Sequence, residues 1–316
     1  MLLTITPNPT IDRTLHVPQL SAGLVHRATF VQSGAGGKGL NVARATRTLG
    51  CEVLATGPLA GHMGRLLADL AIAEGLPAAW HWLESGETRT CMLITHDSGD
   101  ATVINEPGEA ISNEAWAGFA VHVERLAGQA RAVAFCGSLM PGVEPAALSA
   151  LARSLVTAKR TVYLDTSAAA LTAALAQPTG LCLKVNRVEL AGGMLRAVDS
   201  FSTAQVIEVG QELLVRGAAL VVVTLGGEGV LAIAREACWQ ANAPRVEVVN
   251  SAGSGDSFLA GLAVARLQGQ DLETALRVAV ACGAANATTT MPGRFEREMF
   301  EALLRRTEVK CLTLNV

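Results

Sequence analysis

The sequence predicts an α/β protein, a three-layer αβα sandwich with a mostly parallel central sheet and a small β-sheet lid. Three observations carry this. A short apolar run rich in β-formers recurs along the chain, each time followed by Gly, Asp or Ser and then by roughly ten to fifteen residues at helical spacing. One run, LVVVTL at residues 220–225, is apolar but for Thr224, as a strand covered on both faces tends to be. Two early stretches, residues 10–32 and 88–105, alternate without an intervening helix. The chain has 316 residues, 50% hydrophobic and 17% charged, which excludes wholesale disorder and is enough for one large domain folding without disulfides. We read residues 1–316 as a single domain.

The elements follow in order. Residues 2–6 form the first strand and 41–49 a helix. The next strand, 51–56, precedes a helix over 63–74. Three further pairs place a strand at 132–136 before a helix at 145–155, 161–165 before 169–176, and 181–185 before a helix opening near Asn186. Residues 220–225 end in Gly226 and Gly227, and a strand at 246–249 runs into a helix at 257–267. Right-handed crossovers gather the strand C-termini on one edge, where ligands bind. In 88–105, Arg89, Cys91, Leu93 and Thr95 share one face of an antiparallel hairpin; 10–32 forms another, and the two stand over that edge as a lid.

Composition narrows the function. The 25 Lys and Arg nearly balance 28 Asp and Glu, for a net charge of −3, so neither nucleic acid nor an anionic membrane is the expected partner. Seven cysteines are scattered without a C-x-x-C pair, the pattern of buried thiols in a reducing compartment. The segment MLLTITPNPTIDR lacks a basic region and an apolar run of signal length, and the expectation is a soluble cytoplasmic protein.

Four constellations carry chemistry. Residues 33–41, SGAGGKGLN, are not a P-loop, because Gln32 and Gly39 stand where that motif needs Gly and a hydroxyl. Their glycines still let backbone approach a ligand at a helix start, with Lys38 offering a charge and Asn41 a donor and an acceptor. Residues 250–256, NSAGSGD, make a tight turn into a helix whose first N–H groups form an anion hole. Asp256 there reads either as a dipole-stabilising carboxylate or as a general base beside a transferring phosphoryl group. Asn186 and Glu189 read as a capping box, or as oxygens organising hydrated Mg2+. Thr224, Gly226 and Gly229 form a turn that reads as a nucleotide cradle or a plain β-turn.

Together these motifs resemble the PfkB-type carbohydrate kinases of the ribokinase-like superfamily along essentially the whole chain. Asn8-Pro9-x-x-Asp12 is similar to the family's N-P-x-x-D, whose Asp holds sugar hydroxyls, and Gly36-Gly37-Lys38-Gly39-x-Asn41 to G-G-K-G-x-N. Gly137-Ser138-Leu139 is similar to its G-S-L turn, Asp165-Thr166-Ser167 to D-x-S, and Lys184-Val185-Asn186-x-x-Glu189 to K-P-N-x-x-E with Val in place of Pro. Gly253-Ser254-Gly255-Asp256 resembles G-A-G-D, and Asn286 sits where the family contacts adenine or ribose. The continuation G-G-K-G-L-N-V-A-R and Glu87-Thr88-Arg89-Thr90-Cys91 resemble the 1-phosphofructokinase and tagatose-6-phosphate kinase subgroup.

The resemblance implies ATP-dependent phosphorylation of a ketohexose phosphate, fructose 1-phosphate first, with tagatose 6-phosphate or fructose 6-phosphate as alternatives. A sugar-phosphate sensor is the non-enzymatic alternative. In the kinase reading Asp256 is the base and the amides of Gly253, Ser254 and Gly255 form the anion hole. Asp12, Gly36, Gly37, Asn41 and Ser138 orient the sugar, while Lys38, Arg89 and Arg27 hold its phosphate. ATP lies along Lys184, Asn186, Thr224, Gly226, Gly229, Ser251 and Asn286, with Mg2+ reached through water by Asn186 and Glu189. A homodimer through the lid sheet is expected, since its edges need cover.

Overall fold

The computed structural model describes residues 1–98, 101–196 and 201–312. Its strands are β1 (Leu2–Ile5), β2 (Thr10–His16), β3 (Phe30–Gly36), β4 (Val53–Thr56), β5 (Pro58–Leu59), β6 (His81–Trp82), β7 (Arg89–Thr95), β8 (Ala101–Asn105), β9 (Ala132–Cys136), β10 (Thr161–Asp165), β11 (Leu181–Asn186), β12 (Leu220–Thr224), β13 (Val230–Ile233), β14 (Cys238–Ala241) and β15 (Val309–Leu312). Its helices are α1 (Lys38–Thr48), α2 (Gly61–Ala73), α3 (Asn113–Ala127), α4 (Pro145–Thr157), α5 (Ala168–Ala176), α6 (Arg187–Gly193), α7 (Thr203–Val215), α8 (Ser254–Leu267), α9 (Leu272–Ala287) and α10 (Arg297–Arg306).

The central sheet runs β15-β14-β13-β12-β11-β10-β9-β1-β4. Every pairing from β4 to β12 is parallel, and the three beyond β12 are antiparallel. The two-residue period of each strand sorts its side chains into two cores. Leu2, Ala132, Ala134, Tyr163, Cys182 and Val222 pack beneath α1, α8 and α9; their neighbours Leu3, Val133, Phe135, Val162, Leu183 and Val223 pack beneath α3, α4, α5 and α7. Two buried faces make three layers, as the all-apolar strands require. Helix α8 lies deepest, buried from Asp256 to Ala265. Its residues are small because α9 crosses so closely that a side chain on Gly261 would meet Ala279 Cα at 2.8 Å.

The two alternating stretches form one lid sheet, ordered β3-β2-β7-β8. Strands β2 and β3 are an antiparallel pair, as are β7 and β8, and β2 joins β7 in parallel. The expected turn between β7 and β8 includes residues 99 and 100, outside the described residues. Among the described residues no helix is long and apolar enough to cross a membrane.

The structure corrects the sequence reading in three places. No strand forms at 246–249: the sheet edge there is taken by β14 and β15, so Val248 and Val249 stay exposed and the segment reaches α8 as irregular chain. Helix α8 begins at Ser254, not 257, because Gly253 turns the chain with a left-handed φ of 78°. Helix α1 likewise begins at Lys38, not 41, behind Gly37 at φ 117°. Lys38 and Asp256 therefore sit in first helical turns, not in the loops before them.

Candidate active site

The C-terminal ends of β10 and β11 and the N-termini of α1 and α8 meet at the edge of the sheet beneath the lid. Asp165 closes β10, fully buried, between two ammonium groups: Lys38 Nζ lies 2.8 Å from Oδ1 and Lys184 Nζ 2.5 Å from Oδ2. Burial works against the carboxylate, yet the two lysines and their hydrogen bonds hold its pKa below the ordinary value. Lys38 is held above the ordinary lysine pKa; burial opposes its charge, and Asp165 outweighs burial. Two cations on one carboxylate leave a surplus positive charge.

Asp256 stands in the first turn of α8 and is 5% exposed. Its pKa is pushed up to about 6, first by burial and then by Asp165, while Lys38, Lys184 and a hydrogen bond from Asn41 pull it back. That bond runs from Asn41 Nδ2 to Oδ2 at 2.8 Å. Asn41 is itself fixed by Arg44, which donates to its Oδ1 at 2.8 Å. Arg44 is buried and forks onto Glu74 at 2.6 and 3.0 Å, with a further bond to the Ala35 carbonyl. Arg294 also reaches Glu74, at 3.2 Å. A line of contacts thus runs Glu74, Arg44, Asn41, Asp256.

The turn before Asp256 differs from expectation in one donor. The Ser254 amide already bonds the Ser251 carbonyl at 3.2 Å, closing the turn. The amides of Gly253, Gly255 and Asp256 have no partner among the described residues, so they, without Ser254, form the open donor set at the positive end of α8. The Lys184 ammonium lies 2.8 Å from where a Gly255 side chain would begin. Gly253 is required twice, by its φ and because a Cβ would meet Pro292 at 2.7 Å.

Asn286 is 1% exposed and fully engaged by protein. Its Oδ1 accepts from Ser257 Oγ and the Gly293 amide, and its Nδ2 donates to the Ala252 carbonyl and to Ser254 Oγ. These bonds make Asn286 a brace for the glycine turn. Asn186 and Glu189 form the full capping box of α6: Glu189 N donates to Asn186 Oδ1 at 2.8 Å and Asn186 N to Glu189 Oε2 at 2.9 Å. The remaining Glu189 oxygen, Oε1, faces Lys38 Nζ at 4.0 Å. No cluster of three His, Cys, Asp or Glu suited to a metal occurs among the described residues. A single carboxylate oxygen, held by protein only through the long Lys38 contact, suits a hydrated Mg2+ carried by phosphates.

On the lid side, Asp12 packs against Gly36, where any side chain would collide with its carboxyl group. Burial lifts its pKa to about 6, opposed by Arg44 and Arg89. Gly37 presses on the residue just past β1, since a Cβ would lie 2.6 Å from Thr6 Cγ2. Arg89 is tied to the Asn8 carbonyl at 3.2 Å and the Glu106 carbonyl at 3.0 Å. Arg27 is exposed in the loop joining β2 and β3, and no hydrogen bond or ion pair among the described residues draws it to the site. Ser138 follows Gly137, whose amide bonds the Asp165 carbonyl at 2.8 Å. Gly226 and Gly229 flank a 3-10 turn with φ of 62° and 103°, and Thr224 Oγ1 donates to the Val185 carbonyl. Ser251 is exposed at the mouth of the turn.

Lys38 was expected on the substrate phosphate; its ionic partners here are Asp165 and Glu189. The sequence reading named Asp165 only within its D-x-S motif and gave it no role, and it passed over Arg44, whose signal was a cation three positions after Asn41 on the buried side of α1.

Residues 7–296 match the pfkB family of carbohydrate kinases. Among solved structures, phosphofructokinase-2 from Escherichia coli in complex with fructose-6-phosphate aligns at 27% identity and a TM-score of 0.86, covering 96% of this chain and 98% of that one. A tetrameric inhibited form of the same enzyme aligns at 28% identity and 0.85 over the same shares. A Thermotoga maritima protein described as a possible 1-phosphofructokinase aligns at 22% and 0.82, covering 99% of this chain and 100% of that one, a likeness of fold.

Proposed function

The chain belongs to the pfkB family of carbohydrate kinases, and on that premise we propose that it transfers a phosphoryl group from ATP to a ketohexose phosphate, fructose 1-phosphate first, giving fructose 1,6-bisphosphate. The observation that carries the reading is Asp256: a buried carboxylate with its pKa near 6, beside three open amides and two ammonium groups. A base of that pKa is ionised at neutral pH and accepts the proton of an attacking hydroxyl. The amides of Gly253, Gly255 and Asp256, with Lys184 and Lys38, offset negative charge on the transferring phosphoryl oxygens. Asn41 and its Arg44 support hold Asp256 in line.

Asp12, Gly36, Gly37, Asn41 and Ser138 orient the sugar, and Arg89 meets its phosphate. Mg2+, held on the ATP phosphates near Asn186 and Glu189 through water, supplies charge neutralisation when bound. Thr224, Gly226, Gly229 and Ser251 line the path of the nucleotide. The lid sheet closes over the sugar and excludes water, which would otherwise compete with the hydroxyl. Its edge strands leave Phe30, Val31, Val103 and Ile104 about half exposed, which supports a homodimer formed through the lid.

Fructose 1-phosphate rests on the motif resemblance in α1 and the second lid hairpin. The test is kcat/KM for ADP formation with Mg·ATP and fructose 1-phosphate, fructose 6-phosphate or tagatose 6-phosphate. The highest value with fructose 1-phosphate is expected. A higher value with either other sugar reassigns the substrate, and measurable binding with no ADP from any of them replaces the kinase by a sensor.

A further inference from the structure

At the opposite edge of the central sheet, where the parallel strands begin, lies a second cavity of about 540 Å3. Its wall carries Arg131 before β9, Lys159 and Arg160 before β10, and Arg266 in the last turn of α8. Four cations converge on it, and none of its lining residues is acidic. Asp271, outside the lining, interacts with Arg266 and is engaged as the cap of α9. In a protein with a net charge of −3, such one-signed clustering is local, not a general field. The last turn of α8 would repel an anion by its dipole, and Arg266 stands there to reverse that sign.

The second observation is Tyr163. It is 2% exposed and lines the cavity, yet its hydroxyl has no hydrogen-bond partner among the described residues. It is not sealed in the core as an unsatisfied atom either, so it opens onto the cavity. Buried tyrosine hydroxyls nearly always find a partner. Around it the floor is apolar, formed by Cys182, Leu220 and Leu272. Two of the cations retain one backbone bond each, Arg160 to the Gly128 carbonyl and Arg266 to the Gln270 carbonyl, which fixes them in place while leaving further N–H groups open.

We propose that this cavity is a second ligand site, for a small organic phosphate whose phosphates meet Arg131, Lys159, Arg160 and Arg266 and whose body rests on the floor beside the Tyr163 hydroxyl. The volume suits a metabolite of nucleotide or sugar-phosphate size. The site is separate from the centre at the strand C-termini, with α8, about 20 Å long, running from one to the other.

The test is equilibrium dialysis of the whole chain against ADP, fructose 1,6-bisphosphate and inorganic pyrophosphate, in parallel with Lys159→Gln/Arg266→Gln and Tyr163→Phe. For at least one probe, two molecules bind per chain, and the double variant loses one of them or weakens it tenfold or more, as removal of charge-assisted bonds requires. Tyr163→Phe weakens the same molecule several-fold while leaving the ligand-free melting temperature unchanged, because its hydroxyl holds nothing in the fold. Retention by ADP points to a nucleotide, and by the bisphosphate alone to a sugar phosphate. The proposal is overturned if every probe binds once per chain at most, or if neither variant alters the second molecule.

Discussion

Replacing Asp256 by Asn keeps the shape of the side chain and removes its charge, which makes it the sharpest probe of this site. In the folded protein the carboxylate pKa is about 6 against an ordinary 3.8. A carboxylate raised in this way leaves stability in full below about pH 4, where both states are protonated, and removes it as pH rises through 6. The difference between those two values corresponds to roughly 3 kcal/mol at neutral pH. The uncharged amide carries no such cost, and its carbonyl oxygen can still accept from Asn41 Nδ2. Asp256→Asn is therefore expected to stabilise the fold at pH 7 by an amount on the order of 1–3 kcal/mol, the attraction to Lys38 and Lys184 being already contained in that pKa. Turnover falls about 10²–10⁴-fold with KM for the sugar little changed. Urea melts at pH 4.5 and pH 7.5, beside steady-state ADP release, measure both effects, and the stability gain at the lower pH should be only about a third of that at the higher. A variant that turns over near the wild-type rate, or one less stable than wild type at both pH values, refutes the assignment of a strained, buried base.

The acid limb of kcat/KM should fall about tenfold per pH unit below 6, and Asn41→Leu, which removes a bond favouring the charged form, should move that limb to higher pH. Lys184→Met strands the buried Asp165 with one partner and is expected to cost about 3–5 kcal/mol in a urea melt. Lys38→Met, at a position 38% exposed, should cost less stability than Lys184→Met while reducing ADP release at least as much. Arg44→Met leaves Glu74 with Arg294 alone and Asn41 without its support; kcat should drop more than KM rises, with partial recovery in Arg44→Lys, and a wild-type kcat in Arg44→Met would remove Arg44 from the positioning of Asp256.

How far the sequence reached can be argued residue by residue. Period and punctuation were enough for β1, β4, β9 to β12 and the helices α1, α2, α4, α5 and the start of α6, because burial on both faces writes itself as apolar runs of fixed length, whereas α3 and α7 were not read. The antiparallel edge β13 to β15 was not legible: short strands of mixed polarity such as Cys238–Ala241 resemble loops until a neighbour pairs with them. The opposite error, a strand at 246–249, arose because local β-propensity counts for little without an open edge to join.

At the site, local chemistry announced Lys38, Asn41, Asn186, Glu189 and Asp256, three of them just after glycines required by close approach, and the family resemblance added Lys184. Their alliances are long-range. Asp165 meets lysines 127 and 19 positions away, and Asn41 reaches a carboxylate 215 positions on. Charge, period and turn residues are properties of neighbouring positions, so the chain alone determined the layers, the lid strands and the kinds of group at the sheet edge. Which cation faces which carboxylate, and how far burial lifts Asp256, depend on distances and on water excluded by helices far apart in sequence. Only the packed sheet fixes those.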